Sequence, residues 1–308
     1  MDVIVFGGGG LIGSYATADL CDLGMDVAVF SRSPPKGILR SYEDRIHWIS
    51  GDVGDADEVA RAVEETGVRS IVHLAGALQF DCDRTPEVAM RINVGGTINV
   101  LDAARASDVE RVVFASSGAV YGVRADRMRE EMPVGPEITI YGSSKLLAEQ
   151  IGIRYAEQHG FVFVALRHNM TFGPGNVTSP GMAKAIQDIT SAIDGTALTM
   201  AEVGGDLQRH LTYVRDSAAA TVLALTHPNP SYHVYNVAGP DENYITLHDL
   251  TKIMRQVAPE CGTVTFTGRG REAGAVDTTR IRQDLGYKPR YSIADGLIAQ
   301  REDRLKWW

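Results

Sequence analysis

The sequence predicts an α/β fold, in which a doubly wound parallel sheet carries helices on both faces. Short apolar segments alternate with helical patterns through the first half of the chain, and a glycine-rich turn directly follows the first apolar segment. This alternation favours parallel strands joined by right-handed helical crossovers. At 308 residues the chain can also hold a smaller appended lobe.

Five apolar segments are predicted as buried strands of the sheet: residues 3–6, 27–30, 70–74, 111–116 and 161–166. Four helical patterns lie between them: near residues 12–23, 55–66, 86–106 and 142–158. Asp55 is the predicted N-cap of the second helix, because a carboxylate there accepts otherwise unpaired backbone N–H groups.

After residue 166 the pattern changes, since the stretch 167–180 is rich in Gly, Pro and Asn and predicts a loop. The elements predicted beyond it are a helix over 181–194, a strand over 197–200, a helix over 214–225 and a strand over 232–237. We therefore predict one domain of residues 1–167 that also receives 212–237. A smaller, discontinuous C-terminal lobe of residues 168–211 and 238–308 completes the chain.

Composition argues against several classes of protein. The net charge is 30 − 39 = −9, which disfavours nucleic acid or an anionic membrane as the main partner. Cys21, Cys82 and Cys261 are widely spaced and form no CxxC pair, so we expect reduced thiols and no metal site. No apolar run approaches the roughly 20 residues of a membrane span. A cytoplasmic protein is expected.

The turn after the first strand reads Gly7-Gly-Gly-Gly10-Leu11-Ile12-Gly13. It satisfies both Gly-x-Gly-x-x-Gly and Gly-x-x-Gly-x-x-Gly, two glycine spacings that are typical of dinucleotide-binding turns. A tight strand-to-helix turn brings the backbone close to a pyrophosphate, which also meets the positive end of the helix dipole. A merely flexible turn is the alternative. We predict a Rossmann-type domain in residues 1–167, with cofactor contacts from Gly7, Gly10, Leu11, Ile12 and Gly13.

Ser31 and Arg32 follow the second strand, where an NAD-specific site usually offers a carboxylate to the adenosine ribose. Without that carboxylate a 2′-phosphate is not repelled, and Arg32 can pair with it. NADP is therefore favoured over NAD, and a solvated Arg32 is the alternative. Asp52 and Val53 follow a further strand, where an acidic side chain can bind the adenine amino group or cap a helix.

Leu74, Ala75 and Gly76 follow another predicted strand, and small residues there let the backbone pass along the cofactor. Ala77 comes next and is assigned to the substrate side. Asn93 lies in the middle of a predicted helix, where Asn is a poor helix former. We expect it to brace a neighbouring loop.

Tyr141 and Lys145 lie four residues apart on a predicted helix, so they share one face. Ser117 follows a strand and reaches the same sheet edge. Hydride transfer at a carbon that bears oxygen needs a proton moved at that oxygen, and a tyrosine of pKa near 10 is a poor base at neutral pH. A nearby ammonium and an oxidised nicotinamide ring favour the phenolate. Ser117 can hold the reacting oxygen by a hydrogen bond.

Over nearly its whole length the chain resembles the extended short-chain dehydrogenases/reductases, the NAD(P)-dependent sugar epimerase/dehydratase group. The matching segments are Gly7/Gly10/Gly13, Gly51-Asp52, Asn93-Val-Gly-Gly-Thr97, Ser116-Ser-Gly-Ala-Val-Tyr121-Gly, Tyr141/Lys145, Phe172-Gly-Pro174, Tyr213-Val-Arg-Asp216, Tyr235-Asn-Val-Ala-Gly239 and Leu285-Gly-Tyr-Lys-Pro289. The resemblance implies that Tyr141 is the acid/base, Lys145 its electrostatic partner and nicotinamide-ribose ligand, and Ser117 the substrate-oxygen anchor. It also implies a homodimer that pairs the helices near 86–106 and 142–158.

Departures from the family pattern narrow the function. Gly118-Ala119 replaces the Asp-Glu pair of the dehydratases, so dehydration is not expected. Met170 stands where nucleotide-sugar enzymes of the group carry Asn, and Asn169 is one residue early. Arg209 keeps only part of a further phosphate-binding signature.

His168, Asn169 and Arg209 complete the predicted substrate site with Ser117 and Ala77. His168, His210, Arg209 and Arg271 are candidate ligands for a phosphate or carboxylate. For the two histidines the alternative is a loop residue with satisfied hydrogen bonds.

Three functions remain open. The first is net oxidation or reduction of a sugar, sugar acid or other small carbonyl compound by an NAD(P)-dependent enzyme. The second is a redox-neutral sugar or nucleotide-sugar epimerase with a transient keto intermediate. The third is a non-catalytic NADP sensor, which the joint presence of Ser117, Tyr141 and Lys145 disfavours. We favour the first, because Met170 weakens a nucleotide-sugar site and an NADP preference suits net redox chemistry.

Overall fold

Thirteen strands are found in the computed structural model, which describes residues 1–175, 179–270 and 273–307. The strands are β1 Val3–Phe6, β2 Val27–Ser31, β3 Ile46–Ser50, β4 Ser70–His73, β5 Arg111–Ser117, β6 Val162–His168, β7 Thr171–Phe172, β8 Leu198–Met200, β9 Gln208–His210, β10 Thr212–Tyr213, β11 Val234–Val237, β12 Tyr244–Thr246 and β13 Val264–Phe266. Seven of them form one parallel sheet in the order β11-β6-β5-β4-β1-β2-β3.

The helices are α1 Leu11–Asp22, α2 Ala56–Thr66, α3 Gln79–Arg84, α4 Pro86–Val88, α5 Gly96–Ala106, α6 Ile140–His159, α7 Met182–Ser191, α8 Val214–Thr226, α9 Leu247–Val257, α10 Thr279–Asp284 and α11 Ile293–Trp307. Short 3₁₀ segments occur at Gly37–Arg45, Gly118–Tyr121, Ala192–Asp194 and Asp241–Asn243. As predicted, Asp55 caps α2, and its side chain accepts the N–H groups of Asp57 and Glu58.

Helices cover both faces of the sheet because its strands are apolar on both sides. Alternate residues of β1 point to opposite faces of the sheet and pack against different layers of helices. Ile4 and Phe6 pack with α2, α5 and α6, whereas Val3 and Val5 pack with α1, α8 and α10. The predicted doubly wound α/β fold is confirmed.

The structure corrects several element boundaries. Arg167 and His168 were expected to open a loop, but they extend β6, where they pair with Ser116 and Ser117 of β5. The helix expected over 86–106 contains a π-helical turn at Ala89–Gly95 between α4 and α5. Such turns accommodate one extra residue, and they are frequent at functional sites.

In the part of the chain that the structure describes, three two-stranded sheets lie outside the central one. They pair β7 with β10 and β8 with β13 in parallel, and β9 with β12 antiparallel. A third apolar cluster, which includes residues of α7, α9 and α11, packs against Tyr15 and Ala18 of α1. The division into a cofactor domain and a substrate lobe stays a prediction. In the described part of the chain, no helix is both long and apolar enough to cross a membrane.

Candidate active site

The glycine-rich turn is shaped by close backbone contacts. Gly7 has φ +78°, and a Cβ atom there would lie 2.6 Å from the backbone nitrogen of Ala75. A Cβ atom on Gly13 would lie 2.3 Å from the carbonyl oxygen of Gly7. No side chain of the described residues caps the N-terminus of α1 at Gly10. The first backbone N–H groups of α1 are therefore open to a phosphate, as Leu11 and Ile12 begin the helix.

Ser31 and Arg32 lie beside this turn at the carboxyl end of β2. A Cβ atom on Gly9 would lie 2.9 Å from the Ser31 hydroxyl and 3.2 Å from the Trp48 ring, so the backbone and Ser31 are close together. Arg32 is exposed. The geometry thus leaves the Arg32 guanidinium accessible at the edge where an adenosine ribose is expected.

Asp52 follows β3, and its carboxylate is 3.1 Å from the Arg91 guanidinium. Burial works against ionisation of Asp52, but the Gly54 amide together with Arg91 and Arg32 holds its pKa below the usual value. The Asp52 carboxylate is therefore ionised at neutral pH. Val53, the next residue, is buried.

Asn93 braces the loop that follows β4, as expected. Its Oδ1 accepts the Ala77 N–H at 2.8 Å, and its Nδ2 donates to the Ala77 carbonyl at 3.2 Å and to Ser144 Oγ at 3.0 Å. A Cβ atom on Gly76 would be 3.0 Å from Lys145 Nζ. The backbone of residues 74–77 is therefore fixed against α6 by side chains that a larger residue at position 76 would displace.

Ser117, Tyr141 and Lys145 meet at the carboxyl end of β5. Ser117 Oγ accepts the Ala119 N–H at 3.1 Å, and the Ser117 side chain lies close enough to the Tyr141 phenol to lower its pKa. Lys145 Nζ donates to the Ala115 carbonyl at 2.9 Å and lies 4.9 Å from the centre of the Phe114 ring. The Thr139 side chain caps the N-terminus of α6 and so fixes the first turn, which contains Tyr141.

Burial sets the ionisation of this cluster. Burial raises the pKa of Tyr141, and the neighbouring Ser117 hydroxyl offsets only part of that effect. The lowered phenol pKa expected from the sequence is thus not found for the protein alone, since desolvation outweighs its neighbours here. Burial also lowers the pKa of Lys145 to about 8, so the ammonium form still predominates at neutral pH.

His168 is the register partner of Ser117 on the neighbouring strand. It is 9% exposed, and within the described part of the chain neither ring nitrogen has a hydrogen-bond partner. Burial and the charge of Lys145 lower the His168 pKa to about 3. The ring is therefore neutral, and it can offer one donor and one acceptor beside Ser117.

Asn169 is held in place by the backbone. Its Nδ2 donates to the His210 carbonyl at 3.0 Å, and its carbonyl accepts the Thr212 hydroxyl at 2.8 Å. A Cβ atom on Gly118 would lie 2.7 Å from Asn169 Oδ1. An aspartate at position 118, as in the dehydratases, would therefore collide with Asn169. Met170, the next residue, has φ +31°.

The other polar candidates have structural contacts. The His210 ring bonds the carbonyls of Gly239 and Pro240 through Nε2, and its Nδ1 accepts the Val276 N–H. Arg209 is buried, and one contact is to the Gln208 carbonyl. Arg271 lies outside the described residues. The structure thus places His168 beside Ser117. The His210 ring instead bonds backbone groups and so has a structural role.

Sequence reasoning missed several groups in and around the site. Cys82 is buried, accepts a hydrogen bond from Asn93 Nδ2 at 3.4 Å, and raises the Tyr141 pKa. Glu149 and Arg167 form a buried ion pair behind Ser116. A signal for Glu149 was present, because it continues the four-residue spacing of Tyr141 and Lys145 along one helix face.

Among the described residues, no group of three or more His, Cys, Asp or Glu side chains could hold a metal ion. A glycine-rich turn and a Ser/Tyr/Lys cluster on one sheet edge are the features of an enzyme of the NAD(P)-dependent, extended short-chain dehydrogenase/reductase type. The chain belongs to the NAD dependent epimerase/dehydratase family, whose model matches residues 3–238.

Named relatives and solved structures support this assignment. The chain is 28% identical to a UDP-glucose 4-epimerase of Azospirillum brasilense, over 96% of this chain and 89% of that protein. It is 26% identical to a dTDP-glucose 4,6-dehydratase of Streptomyces antibioticus, over 100% of this chain and 94% of that protein. The structure of a UDP-glucose 4-epimerase of Thermus thermophilus in complex with NAD superposes with a TM-score of 0.84 at 26% identity, covering 98% of each chain.

Proposed function

We propose that the protein transfers hydride between NAD(P) and a hydroxyl or carbonyl carbon of a sugar, sugar acid or related small molecule. The observation that carries this proposal is the joint position of Ser117, Tyr141 and Lys145 at the end of β5. Bound nicotinamide supplies the hydride acceptor or donor. As a phenolate, the form that Lys145 and an oxidised nicotinamide would favour, Tyr141 takes the hydroxyl proton when the carbon is oxidised, and as a phenol it returns that proton when the carbonyl is reduced.

The other two residues support Tyr141. We propose that Lys145, on the same face of α6, supplies a positive charge that favours the Tyr141 phenolate and also binds the nicotinamide ribose. Ser117 donates to the reacting oxygen and keeps it within reach of Tyr141. Lys145 favours negative charge on the phenol oxygen of Tyr141, and Ser117 favours it on the substrate oxygen. Proton transfer and hydride transfer can therefore take place in one site.

The remaining contacts follow from the positions of the predicted residues. We propose that the cofactor is held by Gly7, Gly10, Leu11, Ile12, Gly13, Ser31, Arg32, Asp52, Val53, Leu74, Ala75, Gly76, Tyr141 and Lys145. We propose that the substrate meets Ser117, Ala77, His168, Asn169 and Arg209, under the lobe of residues 168–211 and 238–308. The unpartnered His168 ring is the strongest support on the substrate side, since it lies directly beside Ser117 in the described part of the chain.

Redox-neutral epimerisation is the second candidate, and the epimerase relatives favour it. In that reaction the keto intermediate turns within the site and accepts hydride on its other face. Against a nucleotide-sugar substrate stands Met170, which replaces the asparagine of that group. Dehydration is disfavoured because Gly118-Ala119 stands where the dehydratases carry an Asp-Glu pair.

A panel of sugars, sugar acids and nucleotide-sugars, including UDP-glucose, separates the two candidates. Each compound is incubated with the enzyme and either cofactor, and both nicotinamide absorbance and products are followed. Stoichiometric change in absorbance with product supports net redox chemistry. Product without net change supports epimerisation, and an inert enzyme across the panel argues against a sugar-like substrate.

We expect NADP to bind more tightly than NAD, because exposed Arg32 can pair with the 2′-phosphate. A charge-assisted pair worth about 1.5–3 kcal/mol corresponds to a preference of roughly 10- to 150-fold at low salt. Ser31→Asp with Arg32→Asn should reverse the preference, since a ribose acceptor and a repulsive charge are added together. Fluorescence titration of both cofactors measures it.

Arg61→Asn, a change of an exposed arginine on α2, is the matched control and should leave the preference unchanged. The NADP proposal fails if the wild type binds NAD equally well or more tightly. In that outcome Arg32 points to solvent.

We also propose a homodimer through α5 and α6. Leu147 on α6 is 45% exposed and Met90 beside α5 is 54% exposed, which leaves apolar surface on this side. Leu147→Glu should therefore give a monomer in light scattering at micromolar protein. Leu305→Glu is the control, because Leu305 is 91% exposed on α11. A monomeric wild type at that concentration would contradict the proposal.

A further inference from the structure

We propose that Glu149 is a positioning residue, which acts through Ser116 and Arg167 to set the hydrogen bond between Ser117 and Tyr141. This inference rests on the proposed function, because it concerns the acid/base pair named there. It assigns a role to the buried Glu149–Arg167 ion pair, which is not among the residues proposed to bind the cofactor or the substrate.

The Glu149 carboxylate joins α6 to the ends of two strands. Glu149 is fully buried, and Arg167 of β6 is 6% exposed. Arg167 Nε and Nη2 donate to the two carboxylate oxygens at 3.1 Å and 2.6 Å. Ser116 Oγ of β5 donates to the same carboxylate at 2.8 Å. These three bonds hold α6, β5 and β6 together inside a low-dielectric layer, where charge-assisted bonds are strong.

The helix and the strand face each other residue by residue. Tyr141, Lys145 and Glu149 share one face of α6 at four-residue spacing. Along β5, the Ala115 carbonyl accepts a hydrogen bond from Lys145, the Ser116 hydroxyl donates to Glu149, and the Ser117 side chain lies beside the Tyr141 phenol. A shift of α6 relative to β5 would therefore change all three contacts together.

Arg167 is itself fixed from the opposite side. Its Nη1 donates to the Tyr121 hydroxyl at 2.8 Å and to the Glu130 carbonyl at 3.2 Å, and its guanidinium lies 4.9 Å from the centre of the Tyr121 ring. Tyr121 donates in turn to Asn236 of β11 at 2.7 Å. Because the partners of Glu149 are anchored on three strands, the carboxylate can transmit their positions to α6.

Stability alone does not account for such a pair. A buried ion pair can often be replaced by apolar residues of similar volume at little cost in stability. Glu149→Met with Arg167→Met is therefore a fair test of function, since it removes both charges together. Ser116→Ala is the milder variant, because it cuts the link to β5 and leaves the ion pair in place.

The readout is the pKa of Tyr141, measured without substrate by ultraviolet titration of the phenolate with NAD⁺ bound, as a difference from Tyr141→Phe. The groups of the chain that face this phenol include Ser117 and Cys82 on α3, and Lys145 lies one turn further along α6. Ser117→Ala should raise the Tyr141 pKa by about one to two pH units, the loss of a hydrogen bond to a charged group. Glu149→Met/Arg167→Met should raise it by a similar amount, and Ser116→Ala by less.

The decisive comparison is a double-mutant cycle. In a Ser117→Ala background, Glu149→Met/Arg167→Met should give no further increase, because the bond that it positions is already gone. Arg215→Met/Asp303→Met is the matched control, a second bidentate pair that joins α8 to α11, and it should leave the Tyr141 pKa unchanged. Melting curves and NAD⁺ titration identify any variant that has lost its fold.

The outcomes are distinguishable. A Tyr141 pKa that moves in Ser117→Ala but not in the Glu149/Arg167 or Ser116 variants overturns this inference alone. Full additivity in the double-mutant cycle also overturns it. A Ser117→Ala variant that leaves the Tyr141 pKa unchanged would instead contradict the acid/base pair of the proposed function, and this inference with it.

Discussion

Tyr141→Phe is expected to lower turnover by about 10³-fold or more, because it removes the only proton that the phenol can exchange with the reacting oxygen. Cofactor affinity should stay close to that of the wild type, since the aromatic ring still fills the same partly buried space. Turnover with the substrate found in the panel and fluorescence titration of the cofactor together measure the two effects.

Ser117→Ala is the graded companion of this variant and should lower turnover by about 10²-fold, as for the loss of one oriented hydrogen bond. Tyr155→Phe is the matched control, because Tyr155 lies on the same helix and bonds Asp102, at 3.4 Å, away from the site. Its turnover should equal that of the wild type. Unchanged turnover in Tyr141→Phe would refute the proposed mechanism.

Gly7→Ala is expected to abolish tight cofactor binding and to destabilise the protein. The new Cβ atom would lie 2.6 Å from the Ala75 nitrogen at a backbone φ of +78°, so either the turn or the loop after β4 must move. Backbone strain of this kind costs about 1–3 kcal/mol, before the steric clash is added. Cofactor affinity should fall by at least about tenfold, because the displaced N–H groups no longer meet the pyrophosphate.

Gly24→Ala is the control that separates the backbone strain of a positive φ from the steric contact with Ala75. Gly24 has nearly the same φ of +80°, but a Cβ atom there meets nothing within 4 Å among the described residues. This control should lose some stability in a thermal melt and keep the cofactor affinity of the wild type. Equal cofactor affinity in Gly7→Ala and the wild type would show that the turn does not hold the pyrophosphate.

Local patterns were sufficient to predict the central sheet, and they placed Tyr141 and Lys145 on one helix face; the catalytic roles of these two residues stay a prediction. The apolar runs around Val3 and Val27 are buried on both faces of the sheet. Such continuous apolar runs are typical of strands in a parallel sheet, and for that reason they were predicted correctly. Gly7 and Gly13 are required by short backbone distances at a single turn. The spacing of Tyr141 and Lys145 lies within one helix, and for that reason it could be predicted.

What the sequence could not predict depends on contacts between distant segments. Arg167 and His168 looked like the start of a loop, because the backbone of β5 that pairs with them is some 50 residues away. The four-residue spacing from Tyr141 and Lys145 pointed to Glu149, but its partners Ser116 and Arg167 lie on two strands that only the fold brings to it. The same holds for the pKa of Tyr141, since burial rather than the neighbouring charge dominates it.

The central claim is that Tyr141 moves the proton while hydride passes between the substrate carbon and the cofactor. The most direct measurement is a rapid-mixing experiment, with excess enzyme that carries oxidised cofactor and the compound identified in the panel. Wild type should show an increase in reduced-nicotinamide absorbance, lasting for a dehydrogenase and transient for an epimerase, and Tyr141→Phe should show almost none. Product formation without any such increase, or at an equal rate in Tyr141→Phe, would contradict the claim.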